Sequence, residues 1–323
     1  MENKRELLVI GEMTPRMMAA FARDFTVHEL SGIDDIPGFL NEAGERIEAI
    51  ATFGAETVPQ QVMDGLPNLK IISCYGVGYD GIDTQTAVKR GIVVTHTPNV
   101  LNNDVANTAI LLMLAVSRQL VRDDCWVRSG NWKVKGAAPL TRSIEDKTVG
   151  IVGLGRIGET IAAKLQAFSC KVCYHSRNPR DVAYPYFADL VAMAKAADYL
   201  IVITPGGAAT RHLIDRAVLD ALGPDGTLVN VARGSVVDEA AMVAALREGR
   251  LGYAGLDVFE AEPHVPEELF AMDNVVLLPH VGSATVETRQ AMGDLTVENL
   301  QRFFKQGRVT TPVPECAHLV EVD

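Results

Sequence analysis

Short apolar runs alternate with amphipathic stretches along almost the whole chain. Apolar runs at 5–10, 25–30, 47–52, 69–74 and 92–95 predict strands, and helical spacing at 14–23, 36–43, 59–66 and 84–90 falls between them. Thr14 stands where a helix N-cap would, with Pro15 at the first helical position. The alternation resumes with strands expected at 149–152, 171–175, 199–202, 227–230, 253–256 and 275–278, and helices at 157–168, 189–196, 215–222 and 239–248. Strands and helices in such alternation build a parallel sheet covered by helices. Between the two sets lies Thr97-Pro-Asn-Val-Leu-Asn-Asn-Asp104, a polar segment that launches a long apolar helix expected over 105–129. A last helix is expected over 286–304, and the tail from Thr311 is expected to pack back on the first domain. The second set is therefore inserted into the first. Residues 1–99 with 287–323 form a substrate-binding domain, and 100–286 form a dinucleotide-binding domain, with two crossovers making a hinge and a cleft.

At 323 residues the chain exceeds the size at which a single core keeps growing, which agrees with two domains. Hydrophobic residues make up 48% and charged residues 22%, the balance of a soluble globular enzyme. A formal net charge of -11 argues against nucleic acid and anionic membrane as partners, since both are polyanions. The charged start of the chain carries no apolar leader, and no apolar stretch is long enough to span a bilayer. An odd number of cysteines, five, without framework spacing points to reduced thiols and a cytoplasmic protein. Cys170 and Cys173 have metal-site spacing but fall in a predicted strand with no second pair nearby, so they read as core thiols and no metal site is expected.

The most informative stretch is Thr148-Val-Gly-Ile-Val-Gly-Leu-Gly-Arg-Ile-Gly158, a buried strand that runs into a helix through the spacing G-x-G-x-x-G. Gly153 permits the tight turn, Gly155 lets a pyrophosphate approach the backbone, and Gly158 lets the helix pack closely on the strand. An NAD site places an acidic residue about 20 residues further on, where it accepts hydrogen bonds from the ribose hydroxyls. Here the next strand ends in Ser176-Arg177-Asn178-Pro179-Arg180, without a carboxylate until Asp181. A hydroxyl and a guanidinium suit a 2′-phosphate, so the expected cofactor is NADPH, with Ser176 and Arg177 on the phosphate and Asn178 or Arg180 in support.

Three further segments carry titratable groups at predicted strand ends: Asn230-Val-Ala-Arg233-Gly-Ser-Val-Val-Asp238, Gly255-Leu-Asp257-Val-Phe-Glu-Ala-Glu262-Pro263 and Leu277-Leu-Pro-His280-Val-Gly-Ser-Ala284. Hydride transfer to a 2-oxo acid needs a cation for the carboxylate and carbonyl, and an acid that protonates the nascent alkoxide. It also needs a carboxylate that favours the charged imidazole and orients it.

Together with the glycine motif, these segments resemble the D-isomer-specific 2-hydroxyacid dehydrogenase family. Within it they are similar to NADPH-dependent glyoxylate/hydroxypyruvate reductases, with hydroxyphenylpyruvate reductases as close cousins. The resemblance runs from Ile71 onward and implies a Rossmann-type doubly wound domain inserted into a smaller flavodoxin-like α/β domain. It implies Arg233 as the catalytic arginine, His280 as the acid/base and Glu262 as its partner, while Glu260 is expected to point to solvent. It also implies that Asp257 hydrogen-bonds the nicotinamide carboxamide. Further cofactor contacts are expected from Leu154, Arg156, Ile157, Thr204, Pro205, Thr210, Val231, Ala232, His280 and Gly282, the 204–210 loop departing from the bulkier sequence of many relatives. The backbone amides of Val77 and Gly78, with Arg233 and His280, are expected to hold the substrate, and the loop near Thr52-Phe53-Gly54 to help set pocket size. The long helix over 105–129 looks like a dimer-forming arm, with Trp132 a candidate to reach the neighbouring subunit. The implied function is reduction of small 2-oxo acids such as glyoxylate and hydroxypyruvate by a homodimer. Larger 2-oxo acids, and a dinucleotide-sensing corepressor on the same fold, remain as other readings. Phosphoglycerate oxidation is less expected because no basic cluster suits a phosphate substrate, and formate oxidation forms no alkoxide for the Glu–His pair to protonate.

Overall fold

The computed structural model describes residues 4–54 and 56–322; residues 1–3, at the charged start of the chain, and 55 and 323 lie outside them. The chain divides into two compact units, one made of the residues up to Leu101 and from Thr285 on, the other of Asn102–Ala284.

In the first unit, strands β1 (Arg5–Ile10), β2 (Phe25–Glu29), β3 (Ile47–Phe53), β4 (Ile71–Tyr75) and β5 (Val93–Thr95) form one parallel sheet in the order β2-β1-β3-β4-β5, the flavodoxin-like order. The apolar runs fill its core, with Leu8, Ile47, Ile50, Met63, Leu66 and Ile72 fully buried. Thr14 caps helix Pro15–Asp24 by accepting from the Met17 amide at 3.2 Å. The tail does return to this unit: Thr311 accepts from the His96 amide and Val313 donates to the Val94 carbonyl.

In the second unit, strands β6 (Thr148–Val152), β7 (Lys171–His175), β8 (Tyr199–Val202), β9 (Thr227–Asn230), β10 (Tyr253–Leu256) and β11 (Val275–Leu277) form a second parallel sheet in the order β11-β10-β9-β8-β6-β7. The order reverses at β6, which has β7 on one side and β8 on the other. In open sheets of this kind ligands bind beyond the carboxyl ends at that switch point. Asp189, Asp215 and Asp238 each cap the helix that follows them.

One expectation is corrected. The single helix over 105–129 is two helices, Asn102–Ser117 and Leu120–Arg128, bent by 59°. Gln119 takes a left-handed conformation, φ 50°, and turns both its backbone amide and its side-chain amide onto the Val116 carbonyl, capping the first helix. Ser117 Oγ bonds the Met113 carbonyl and the buried Tyr199 hydroxyl, which ties that end to β8. No glycine or proline marks this break in the sequence. Among the described residues no single helix is long and apolar enough to cross a membrane; by length and composition alone only this bent pair passes, and much of its first helix is buried in the unit.

Candidate active site

The carboxyl end of β6 leads straight into the glycine turn. Gly153 sits at φ 100°, and a Cβ there would lie 2.9 Å from the Thr204 backbone, which leaves β8 alongside. A Cβ at Gly158 would overlap the Gly153 carbonyl, so this position fixes how closely helix Arg156–Gln166 packs on the strand. At Gly155, the residue before that helix, a Cβ would meet nothing within 4 Å. The turn is therefore tight on the inside and open on the outside, where phosphate oxygens can reach amides at the helix start. These residues fit a dinucleotide.

The ribose end is the loop that follows β7. Arg177 and Asn178 are exposed, as a phosphate contact requires. Ser176 Oγ donates to the Asn178 carbonyl at 2.6 Å, which shapes the loop from within. Arg180 pairs with Glu159 of the helix at 2.9 Å. In the 204–210 segment Thr210 Oγ1 donates to the Pro205 carbonyl at 2.7 Å, so this hydroxyl closes its own loop. Val231 and Ala232 are buried just past β9.

Arg233 is positioned by a residue that the sequence reading passed over. Asn230, 1% exposed at the end of β9, accepts from the Ala232 amide at 3.1 Å and donates to the Arg233 carbonyl at 3.0 Å. This is the local turn chemistry that an Asn at a strand end offers, and its spacing to Arg233 was the available signal. Arg233 Nη1 donates to the Ala232 carbonyl at 2.8 Å. A Cβ on Gly234 would overlap the Phe259 carbonyl group, so only glycine lets the arginine turn close against the Phe259–Glu262 loop.

On that loop Glu262 Oε1 accepts from the Phe259 amide at 3.0 Å, and Oε2 bonds His280 Nδ1 at 2.7 Å. Burial alone would raise the Glu262 carboxyl. The hydrogen bond and charge of His280, the Phe259 amide and the nearby Arg233 outweigh it and hold the carboxyl below the ordinary range. The carboxylate therefore stays charged through the ordinary carboxylate range, and its side of the pair is lost as pH falls through that lowered value. With Nδ1 engaged, Nε2 is the ring nitrogen left to meet a reactant, and the imidazole is 31% exposed.

His280 has φ 54°, a left-handed conformation uncommon for a residue with a Cβ, and Asp257 holds it there. The Asp257 carbonyl accepts from the His280 amide at 2.8 Å, and its carboxylate oxygens accept from the Val281 and Gly282 amides at 2.7 and 2.8 Å. Asp257, 2% exposed, thus uses both carboxylate oxygens to hold the histidine turn, a role the sequence did not announce. Gly282 in turn sits against that carboxylate, where a Cβ would lie 3.0 Å from Oδ2. The expectation for Glu260 is corrected: it does not point to solvent but accepts from Arg211 at 2.7 Å and bonds His212 at 3.1 Å.

In the first unit the residues beyond β4 form an anion-ready turn. Val77 and Gly78 are partly exposed, and among the described residues neither amide donates to another protein group. The turn is held by the His96 ring on the Val77 carbonyl at 2.9 Å and by the Thr97 amide on the Gly76 carbonyl at 2.8 Å. Trp132 is 64% exposed on the short helix Asn131–Lys135. Cys170 and Cys173 are buried free thiols, and burial pushes Cys173 up to about 11.

Known proteins resemble this chain over most of its length. The sequence signature described as "D-isomer specific 2-hydroxyacid dehydrogenase, NAD binding domain" matches residues 110–282. Glyoxylate/hydroxypyruvate reductase A HPR2 of Arabidopsis thaliana is 52% identical over 268 residues, 83% of this chain and 85% of that one. Hydroxyphenylpyruvate reductase of Plectranthus scutellarioides is 48% identical over 85% of this chain and 88% of its own. Among solved structures, the NADPH-dependent glyoxylate/hydroxypyruvate reductase of Sinorhizobium meliloti, in complex with NADP and malonate, superposes with a TM-score of 0.91 at 45% identity, covering 97% of this chain and 98% of that one. A glycine turn open to phosphate, a buried aspartate under a left-handed histidine, and that histidine on a glutamate thus sit in a sequence matched over most of its length: the chain belongs to the D-isomer-specific 2-hydroxyacid dehydrogenase family.

Proposed function

We propose that this chain is an NADPH-dependent reductase of small 2-oxo acids, glyoxylate and hydroxypyruvate among them, with His280 as general acid. The observation that carries the reading is the 2.7 Å hydrogen bond from His280 Nδ1 to Glu262 Oε2. Reduced nicotinamide, when bound, supplies a hydride to the keto carbon. Arg233 offers a planar cationic fork to the substrate's carboxylate and carbonyl, and the Val77 and Gly78 amides offer donors to the carboxylate. His280 Nε2 donates its proton to the oxygen that becomes the hydroxyl, and Glu262 stabilises the charged ring and holds its orientation. Asp257 acts one step back, by holding the backbone of His280.

The test is NADPH oxidation with a panel of 2-oxo acids. Turnover of glyoxylate and hydroxypyruvate is expected, and no oxidation with any acid would leave the dinucleotide-sensing reading in its place. The kinship with hydroxyphenylpyruvate reductase supports a second reading, in which the aromatic acid outruns both small ones in the same panel. For the cofactor, Arg177→Ala is expected to lower kcat/KM for NADPH by about 30-fold and for NADH by no more than about threefold, the scale of one charge-assisted contact. Equal losses with both cofactors would detach Arg177 from the 2′-phosphate.

The reading also takes the protein to be a cytoplasmic homodimer. Free, mostly buried thiols support the location. Leu120, Val121, Val127, Trp132, Val134 and Leu140 are all more than half exposed along one stretch of the second unit, and this supports the dimer. Sedimentation at micromolar concentration is expected to give twice the chain mass; a monomer would remove that part of the reading.

A further inference from the structure

Arg289 lies on helix Val286–Gln306 and is used by none of the chemistry above. Its guanidinium carbon sits 5.5 Å from the Phe53 ring centre and 5.8 Å from that of Tyr75, rings that are themselves 5.8 Å apart. Phe53 and Tyr75 are paired partners at the carboxyl ends of β3 and β4. The Tyr75 hydroxyl donates to the Arg289 carbonyl at 3.1 Å, which fixes the helix over the rings. Just beyond, the two strand exits lock together: the Gly54 amide donates to the Tyr75 carbonyl at 3.1 Å, and a Cβ on Gly76 would lie 2.8 Å from Gly54 Cα. The second exit then leads into Val77 and Gly78, whose amides await an anion.

Arg289 is only partly exposed, yet among the described residues no carboxylate pairs with it. Arg302 on the same helix pairs with Glu298, and Asp294 pairs with Arg16. Burial pushes the Tyr75 hydroxyl up despite the charge beside it, so no phenolate neutralises Arg289. The aromatic rings cover a face of the guanidinium and the Tyr75 hydroxyl takes a side-chain hydrogen bond from it, which leaves others of its five N–H donors over. A partly exposed cation with donors left over, set on two rings, can take oxygen acceptors from outside the protein.

We propose that Arg289 is a specificity-determining residue whose guanidinium binds an acceptor oxygen on carbon 3 of the 2-oxo acid, at the same end of the sheet as the amides that take its carboxylate. The inference rests on the reductase reading above. Hydroxypyruvate carries such an oxygen, whereas glyoxylate has no third carbon, so the subsite acts on the first and is silent on the second.

The test compares hydroxypyruvate and glyoxylate on the wild-type enzyme, Arg289→Met and Arg289→Lys. Methionine keeps the packing on the two rings and removes every donor. Arg289→Met is expected to lose about 30-fold in kcat/KM for hydroxypyruvate, mostly in KM, and no more than about threefold for glyoxylate, because a subsite built to hydrogen-bond an oxygen discriminates only where that oxygen exists. The KM for NADPH stays unchanged, and Arg289→Lys falls between. Parallel losses on both acids, or no loss on either, overturn the subsite. Wild-type turnover of both acids checks the reductase reading separately: if neither is reduced, that reading fails irrespective of the variants. Should the melting temperature show Arg289→Met to be unfolded, Arg289→Lys decides by the same ratio, with equal effects on the two acids overturning the proposal.

Discussion

Replacing His280 with alanine is expected to lower kcat for 2-oxo acid reduction by about a thousandfold, within the range a positioned general acid contributes. Affinity for NADPH is expected to change little, because the glycine turn and the Ser176–Arg177 segment lie on other loops. The backbone is the complication. His280 holds φ 54°, and alanine is less at ease there than asparagine, which visits the left-handed region more readily. His280→Asn therefore serves as the companion variant: it keeps the turn that Asp257 clamps and lacks a proton donor of the right acidity. Both variants are expected to be similarly slow. If asparagine restored turnover to near the wild-type rate, the histidine would be structural and the acid would have to be sought elsewhere.

The second large effect is expected at Arg233. Lysine there keeps the charge and loses the planar fork, so substrate orientation is lost along with one of two parallel contacts. Arg233→Lys is expected to lower kcat/KM for glyoxylate by about a hundredfold, with both kcat and KM affected, as when an orienting clamp is removed. The NADPH KM should hold. Asn230→Ala provides the positional counterpart, since it frees the Arg233 carbonyl and the Ala232 amide without touching the guanidinium, and it should reproduce part of the loss. An Arg233→Lys enzyme with unaltered KM and kcat would show that the carboxylate is held without the fork.

Much of the scaffold was legible because burial and capping are written locally. Continuous apolar runs marked β6 to β10 to within a residue, and Thr14 with Pro15 announced the helix that Thr14 caps. The break at Gln119 was not legible, since it depends on a left-handed glutamine and on a serine bonded to a tyrosine 82 positions away. The candidate site shows the same division. Arg233, Glu262 and His280 stand out as residue types at strand ends, and family resemblance ranked Glu262 over Glu260. Nothing local says that Glu260 turns to Arg211 and His212, or that the Asp257 carboxylate accepts from the Val281 and Gly282 amides. These partners come from other segments, and only the folded chain brings them together. Asn230 and Gly234 were overlooked for a related reason: they carry no chemistry of their own and act by placing Arg233.

The pairing of Glu262 with His280 is what everything above depends on, and the pH dependence of kcat/KM for keto-acid reduction in wild type and Glu262→Gln tests it most directly. Reduction consumes a proton carried by the imidazole, so kcat/KM is expected to decline on the alkaline side of the profile. The glutamate carboxylate, held below its ordinary range, favours that protonated form, and glutamine cannot. The declining limb is expected to move to lower pH in Glu262→Gln, by about one unit or more for the loss of a partly buried, hydrogen-bonded partner. Superimposable profiles from the two enzymes would contradict the pairing and, with it, the assignment of His280 as the proton donor.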